Sequence, residues 1–381
     1  MDGMQRFTPI EILSIISIII CSYYLLLTIV NVLYMMIRTK KPSLKNTPKI
    51  TVMVPARNEE NNIRACVESL LSQDYPDFEV MVIDDNSTDN TAAILKELSK
   101  RDDRLTVYTG SKLPEGWYGK PWALQQLSHY ATGEYYLFTD ADTVHKTNSL
   151  SFIVTNMLHH KADLISALPN EIIKTFGELI NVPALYVMTT VIMPLPAIDL
   201  MKWKEASYCL GQYFCIKADV YKDIDGFEHV RHLITEDVAF GKEVKRRGYK
   251  TLFLDGQKYV DCHMYSSYIE SFKGFGKNIY SSVGFNLIIF SLTAILIFMT
   301  VNFPFGVFIA SLIKGTLSPL LVLPTAIFTL AWTIVTIFHK LPWYNPVLYP
   351  LQYTNLLIMA IFYTIKFRLT PGISWKGRVV K

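Results

Sequence analysis

Residues 10–37 carry a single acid, Glu11, and no base. A run of about 28 residues with so little charge is long enough to cross a bilayer, whose hydrocarbon core needs roughly 20. It is too long for the apolar part of a secretory signal, and no small-residue cleavage site follows, so an uncleaved transmembrane anchor is predicted over residues 8–37. Charge becomes scarce again after residue 284. It stays so through Phe338, and a further apolar run covers residues 347–365. Between residues 51 and 278 charge and turn residues return to the density of a soluble protein. The expected organisation is an anchor, a soluble domain at 46–280, a C-terminal transmembrane region at 284–366 and a basic tail at 367–381. A mean hydropathy of +0.23 with 18% charged residues agrees. It is too apolar for an ordinary soluble enzyme and too charged for a pure membrane bundle.

The net charge is only +4, and the bases gather at membrane flanks. Arg38, Lys40, Lys41 and Lys45 follow the anchor; Lys366, Arg368, Lys376, Arg378 and Lys381 lie in or near the tail. Positive flanks stay cytoplasmic, which predicts a multi-pass protein of the cell membrane with its soluble domain in the cytosol. No basic patch suits nucleic acid. A tail that is also inside requires an even number of crossings after the domain, whereas three apolar segments follow (285–313, 317–338 and 347–365), so the count stays open. The five cysteines form no CxxC pair, and their odd number predicts buried thiols rather than a disulfide framework.

Within the soluble domain, short β-branched runs alternate with helical periodicity. Ile50, Val52 and Val54 alternate before Pro55; Ile63, Cys66, Val67, Leu70 and Leu71 recur at three and four. "FEVMVID", "RLTVYTG" and "EYYLFTD" read as further strands, with helices at Ile94, Leu95 and Leu98 and over "GKPWALQQLSHYA". That rhythm predicts a parallel sheet with helices on its faces. In such sheets ligands bind beyond the carboxyl ends of the strands, where three polar clusters fall: residues 56–58, 84–86 and 140–142.

Asp140 and Asp142 follow a strand with one residue between them. Two such carboxylates can reach one hard cation, which prefers oxygen ligands and is often shared with substrate phosphates. Asp84, Asp85 and Asp89 gather at a neighbouring strand end. Lys120 follows Gly119 at a helix entrance, where an ammonium can meet a phosphate as a point charge. Glu236 and Asp237 open another amphipathic helix; an acid there also suits the helix dipole. Together these features describe a diphosphate held by a metal and a lysine, with one carboxylate free for acid–base work.

The order "VPARNEE", "VIDDNSTD", "GKPWAL", "TDADT" and "ITEDVAFG" resembles the family 2 glycosyltransferases over about residues 48–250. The resemblance implies an α/β GT-A fold, Rossmann-like with a mainly parallel sheet and helices on both faces, here with transmembrane α-helices at both ends. It also implies an inverting transfer from a nucleotide-diphosphate sugar with Mg2+ or Mn2+. Carried over residue by residue, it places Pro55, Ala56, Arg57, Glu59, Asp84 and Asp85 around the nucleotide. Asp140 falls with the ribose and diphosphate, Asp142 with the metal, and Asp237 takes the role of general base. Beside them, Lys120 and Glu236 are read as donor-binding residues, and His263 as a metal ligand, with a phosphate contact or a structural role as the alternatives. Processive members carry a QxxRW motif some tens of residues after the TED acids. Here that region reads "YSSYIESFKGFGKNIYSS", which predicts single transfer; Lys273 and Lys277 are either phosphate contacts or membrane-flanking bases.

Residues 181–203 carry no charge before Asp199, and Pro194 and Pro196 oppose a single straight span. Two readings stay open, a core helix and an interfacial segment that leads a lipid to the site. The membrane plan is similar to that of hopanoid-associated, carotenoid and ceramide glycosyltransferases, so a lipid hydroxyl is the expected acceptor. A polyprenyl-phosphate sugar synthase and a non-catalytic membrane assembly protein remain as alternatives.

Overall fold

A computed structural model describes residues 7–44, 46–282, 286–370, 373–375 and 378–380. Lys45 and, in the tail, Pro371, Gly372, Lys376 and Lys381 lie outside the described residues. The chain divides into two compact units, one built from residues 35–172 and 195–264 with the tail, the other from the N-terminal helix, residues 173–194 and 265–369.

The first unit holds a seven-stranded sheet. Its strands are β1 (Ile50–Ala56), β2 (Phe78–Asp84), β3 (Leu105–Thr109) and β4 (Tyr135–Thr139), then β6 (Leu164–Leu168), β8 (Tyr213–Lys217) and β9 (Thr251–Asp255). A smaller sheet joins β5 (Thr143–His145), β7 (Asn170–Glu171) and β10 (Val260–Cys262). The large sheet runs β3-β2-β1-β4-β8-β6-β9, and every pairing is parallel except those of β8. Helices follow β1, β2 and β3 as the periodicity predicts, at Ile63–Leu71, Thr91–Leu98 and Gly119–Ser128.

Strand residues alternate between two cores because successive side chains point to opposite faces. Val52, Val54, Val80, Val82, Leu137 and Cys215 enter one core; Met53, Met81, Ile83, Tyr136, Phe138 and Phe214 enter the other. Both faces are covered, which is why the strands read as nearly continuous apolar runs. Each fully buried large side chain contributes about 1.5–3 kcal/mol. All five cysteines are buried and unbridged.

In the second unit, three helices among the described residues are long and apolar enough to cross a membrane: Pro9–Arg38, Leu287–Lys314 and Pro319–Phe338. The third apolar run of the sequence forms a long helix, Asn345–Leu369, outside that group. Asn345, Gln352 and Asn355 are buried on it and lower its hydropathy. Gln352 donates to the carbonyl of Leu179 (2.8 Å) and accepts from the Trp332 indole (3.0 Å). Asn355 donates to Asn181 Oδ1. Residues 176–192 form an apolar helical segment that ends in a π-helical stretch, Val187–Ile192. The disturbed backbone finds side-chain partners: Asn31 donates to the carbonyls of Thr190 (3.0 Å) and Met193 (2.7 Å).

Candidate active site

The carboxyl ends of β1 and β2 lie side by side, with Ala56 paired to Asp84. Their loops are laced together. Asp85 N–H donates to the Ala56 carbonyl (2.8 Å), the Arg57 guanidinium donates to the Asp85 carbonyl (2.5 Å), and Asn58 N–H donates to Ser87 Oγ (2.9 Å). Asn58 and Asn86 both take positive φ, 54° and 57°, a conformation asparagine tolerates better than most residues. Glu59 N–H donates to Thr91 Oγ1 (2.8 Å), and the Glu59 carboxylate accepts from Asn62 Nδ2 (2.9 Å). Asp84 and Asp85 are buried, and Gly110 N–H donates to the Asp84 carbonyl (2.8 Å). Thus Pro55, Ala56, Arg57, Glu59, Asp84 and Asp85 lie together on two adjoining strand ends and their interlocked loops.

A second group collects at the end of β4 and the start of β8. Lys120 Nζ stands 2.5 Å from Asp140 Oδ1 and 3.5 Å from Glu236 Oε1. Asp237 Oδ2 accepts from Gly211 N–H (2.8 Å), and its Oδ1 accepts from Val238 N–H (2.8 Å). A Cβ at Gly211 would stand 2.6 Å from Lys120 Nζ and 3.3 Å from Asp237 Oδ2. The glycine therefore marks where lysine and acid converge. Antiparallel β8 explains the placement: its first residue, Tyr213, pairs with Thr139, the last of β4. The start of β8 thereby meets the ends of its neighbours, and Thr139 Oγ1 donates to the Gln212 carbonyl (2.8 Å).

Burial by itself would lower the Lys120 pKa, but the carboxylates of Asp140, Glu236 and Asp237 outweigh it and hold the ammonium firmly charged. Burial pushes the Glu236 carboxyl up to about 7, against the opposing pull of Lys120.

Asp142 and His263 meet through the backbone, where His263 N–H donates to the Asp142 carbonyl (3.2 Å). Asp142 Oδ1 also accepts from the Cys262 thiol (3.7 Å). Among the described residues no group of three or more His, Cys, Asp or Glu side chains is placed to hold a metal by itself. The Asp142 carboxylate is the hard oxygen donor there, and it fits a divalent ion such as Mg2+ that takes the rest of its shell from phosphates and water rather than from a closed protein cage.

Sequence reasoning missed four contributors. Gly211 and Gln212 precede a strand whose direction the alternation does not encode. Glu171 is buried in the polar stretch "PNE" and accepts from Gln212 Nε2 (2.8 Å). Burial, with Asp142 and Asp140 nearby, pushes its pKa up to about 8. Beneath the Asp140–Asp142 turn, His145 accepts or donates at Thr139 Oγ1 (3.0 Å) and Ser149 Oγ (3.0 Å), and burial drops its pKa to about 3. That imidazole is a neutral brace. Only the glycine had a legible signal, a lone Gly at a strand entrance.

Residues 51–225 match the sequence profile described as Glycosyl transferase family 2. The chain is 26% identical over 236 residues to the 4,4'-diaponeurosporenoate glycosyltransferase of Staphylococcus haemolyticus, covering 61% of each protein. It is 38% identical over 109 residues to the beta-monoglucosyldiacylglycerol synthase of Nostoc sp., covering 28% of this chain and 23% of that one. The chain thus spans about three fifths of the first relative's length and less of the second's. Among solved structures, the mannosyltransferase PcManGT from Pyrobaculum calidifontis, in complex with GDP-Man and Mn2+, is similar in fold. Its TM-score is 0.55 at 17% identity, covering 93% of this chain and 99% of that one.

Proposed function

We propose that this chain, which carries a family 2 glycosyltransferase domain of GT-A fold, moves one sugar from a nucleotide-diphosphate donor to a hydroxyl of a membrane lipid, inverting the anomeric centre. The observation that carries the reading is the meeting of Lys120, Asp140 and Glu236 with the Asp237–Gly211 pair at one end of the sheet. The names of the relatives, a 4,4'-diaponeurosporenoate glycosyltransferase and a beta-monoglucosyldiacylglycerol synthase, support a lipid acceptor.

In this mechanism the nucleotide lies along the wall formed by residues 55–59 and Asp84–Asp85, and the Lys120 ammonium faces the diphosphate. Asp237 removes the proton of the acceptor hydroxyl as its oxygen attacks the anomeric carbon. The bond from that carbon to the phosphate oxygen breaks on the opposite face. The nucleoside diphosphate leaves with its electron pair, its growing charge met by Lys120. Mg2+ or Mn2+ held at Asp142, with His263 beside it, would supply further positive charge to the diphosphate. The backbone N–H groups on both oxygens of Asp237 fix its orientation for proton removal.

The domain arrangement proposed is an anchor at 8–37, a cytosolic catalytic domain at 46–280 and a membrane region at 284–366 before the basic tail. Two C-terminal spans, Leu287–Lys314 and Pro319–Phe338, would supply the even number that a cytosolic domain and tail require.

The test is transfer of label from a panel of radiolabelled nucleotide sugars into membrane lipid, with added Mg2+ or Mn2+, by wild type, Asp142→Asn and Asp237→Asn. Metal-dependent labelling lost in both variants is expected. Labelling that survives Asp237→Asn would favour a phosphate acceptor, which needs no base. Failure of every donor, together with no nucleotide binding by calorimetry, would sink the enzyme reading.

A further inference from the structure

Within the catalytic unit, the last turn of the first apolar helix is tied to the short helix Leu195–Leu200. Arg38, the final residue of Pro9–Arg38, pairs with Asp199. Lys250 approaches the other oxygen of Asp199 (3.9 Å), and Lys245 donates to the Ile198 carbonyl. Asp199 is therefore fixed beside the point where the N-terminal helix ends.

Immediately beyond it, residues 201–205 are all exposed. Leu200 is 75% exposed, Trp203 68% and Met201 42%, while Met36 and Ile37 on the tethered helix end are 63% and 66% exposed. Large apolar side chains grouped this way mark an interaction surface. Their neighbours identify its chemistry. Lys202 and Lys204 alternate with Met201 and Trp203, with Glu205 3.8 Å from Lys204 at the end of the stretch, and Lys40 and Lys41 follow the helix end, so bases outnumber the single acid. Aromatic and aliphatic groups interleaved with bases match the boundary between acyl chains and anionic headgroups.

We infer that Leu200, Met201 and Trp203 form a second membrane contact, inserted at the acyl–headgroup boundary with Lys202 and Lys204 on anionic lipid. The inference rests on reading Pro9–Arg38 as a spanning helix. It deepens the proposed function, because the chain runs from Trp203 to Gly211 in eight residues, and Gly211 donates to the proposed base, Asp237. The contact holds the acceptor side of the site at the depth where a lipid hydroxyl is found.

The buried native cysteines leave a single introduced cysteine free for selective nitroxide labelling. Met201→Cys, Trp203→Cys, Ile19→Cys and Asp103→Cys would be labelled in the full chain. Each is then reconstituted in nanodiscs of phosphatidylcholine and phosphatidylglycerol and read by power saturation with oxygen and with a water-soluble nickel chelate. Ile19 is exposed mid-helix and reports the span; Asp103, exposed on the catalytic unit, reports water. The expected result is an oxygen-to-nickel ratio at 201 and 203 several-fold above that at 103, approaching that at 19. Ratios at 201 and 203 equal to that at 103, with 19 in lipid, would overturn the contact and leave the span intact. Shielding of 201 and 203 from both reagents would mean a protein partner and would also overturn it. Water accessibility at 19 would remove the spanning reading and the contact together.

Discussion

Lys120 Nζ lies 2.5 Å from Asp140 and 3.5 Å from Glu236, so one ammonium joins the end of β4 to the helix that carries Asp237. Removing it leaves two acids without their cation and, in the proposed mechanism, takes away the positive charge facing the diphosphate. Lys120→Ala is expected to lower kcat/KM by about 10²–10³-fold, the cost of losing one preorganised charge-stabilising group. Steady-state kinetics against donor concentration would check it, with circular dichroism confirming the fold.

Gly211→Ala tests the crowding at the same point. The added methyl would stand 2.6 Å from Lys120 Nζ, so the flexible end of the lysine must move away from Asp237. Activity should fall at least about 10²-fold, since displacement of order 1 Å is enough for that loss. Thermal stability should change little, because no buried apolar contact is removed. A fully active variant would show that the lysine has room to spare.

The elevated Glu236 carboxyl gives the site a titration near neutrality. With a pKa of about 7, it is mostly protonated on the acid side, where Lys120 is balanced by fewer anions, and charged on the alkaline side. Donor kcat/KM should therefore change with an apparent pKa near 7 in wild type. Glu236→Gln should abolish that inflection while leaving the protein folded, as a pH–rate profile of both would reveal.

Glu171 predicts a stability signature. Its folded pKa, about 8, stands above the ordinary 4.5. Below about pH 4.5 both folded and unfolded chains hold the proton. As pH climbs toward 8 only the unfolded chain releases it, so this group makes the fold progressively less stable across that window. Glu171→Gln should match wild type at about pH 5 and melt higher at about pH 8 in detergent thermal scans. Equal melting at both would place the carboxyl in contact with water.

In the helical unit, Asn31→Ala removes the donor to the carbonyls of Thr190 and Met193 beside the π-helical stretch. A loss of about 0.5–2 kcal/mol is expected, typical of side-chain hydrogen bonds within membrane helices. Unfolding in mixed micelles, compared with Leu26→Ala on an exposed face of the same helix, would measure it.

The strands were legible because apolar alternation of period two is set by the pleat, and Val52, Met53 and Val54 show it plainly. Lys120, Asp140, Glu236 and Asp237 were legible because polar residues interrupt apolar runs at strand and helix ends. Strand direction left no such mark: Tyr213, Phe214 and Cys215 alternate identically whichever way β8 runs. Glu171 was hidden in a polar stretch without period. The amides of the helical unit were hidden too, since Asn31 and Gln352 look like isolated lapses in apolar helices until their partners 150 or more residues away are in place.

The reversal of β8 divides the labour of the chain along its length. Everything in the proposed nucleotide wall precedes residue 86, whereas Gly211 arrives after an excursion of some forty residues between β7 and β8. That excursion can lengthen, shorten or change its chemistry without disturbing strand order on the nucleotide side. On the proposed function, such a scaffold is free to acquire a new recipient over evolutionary time while its currency of activated sugar stays the same.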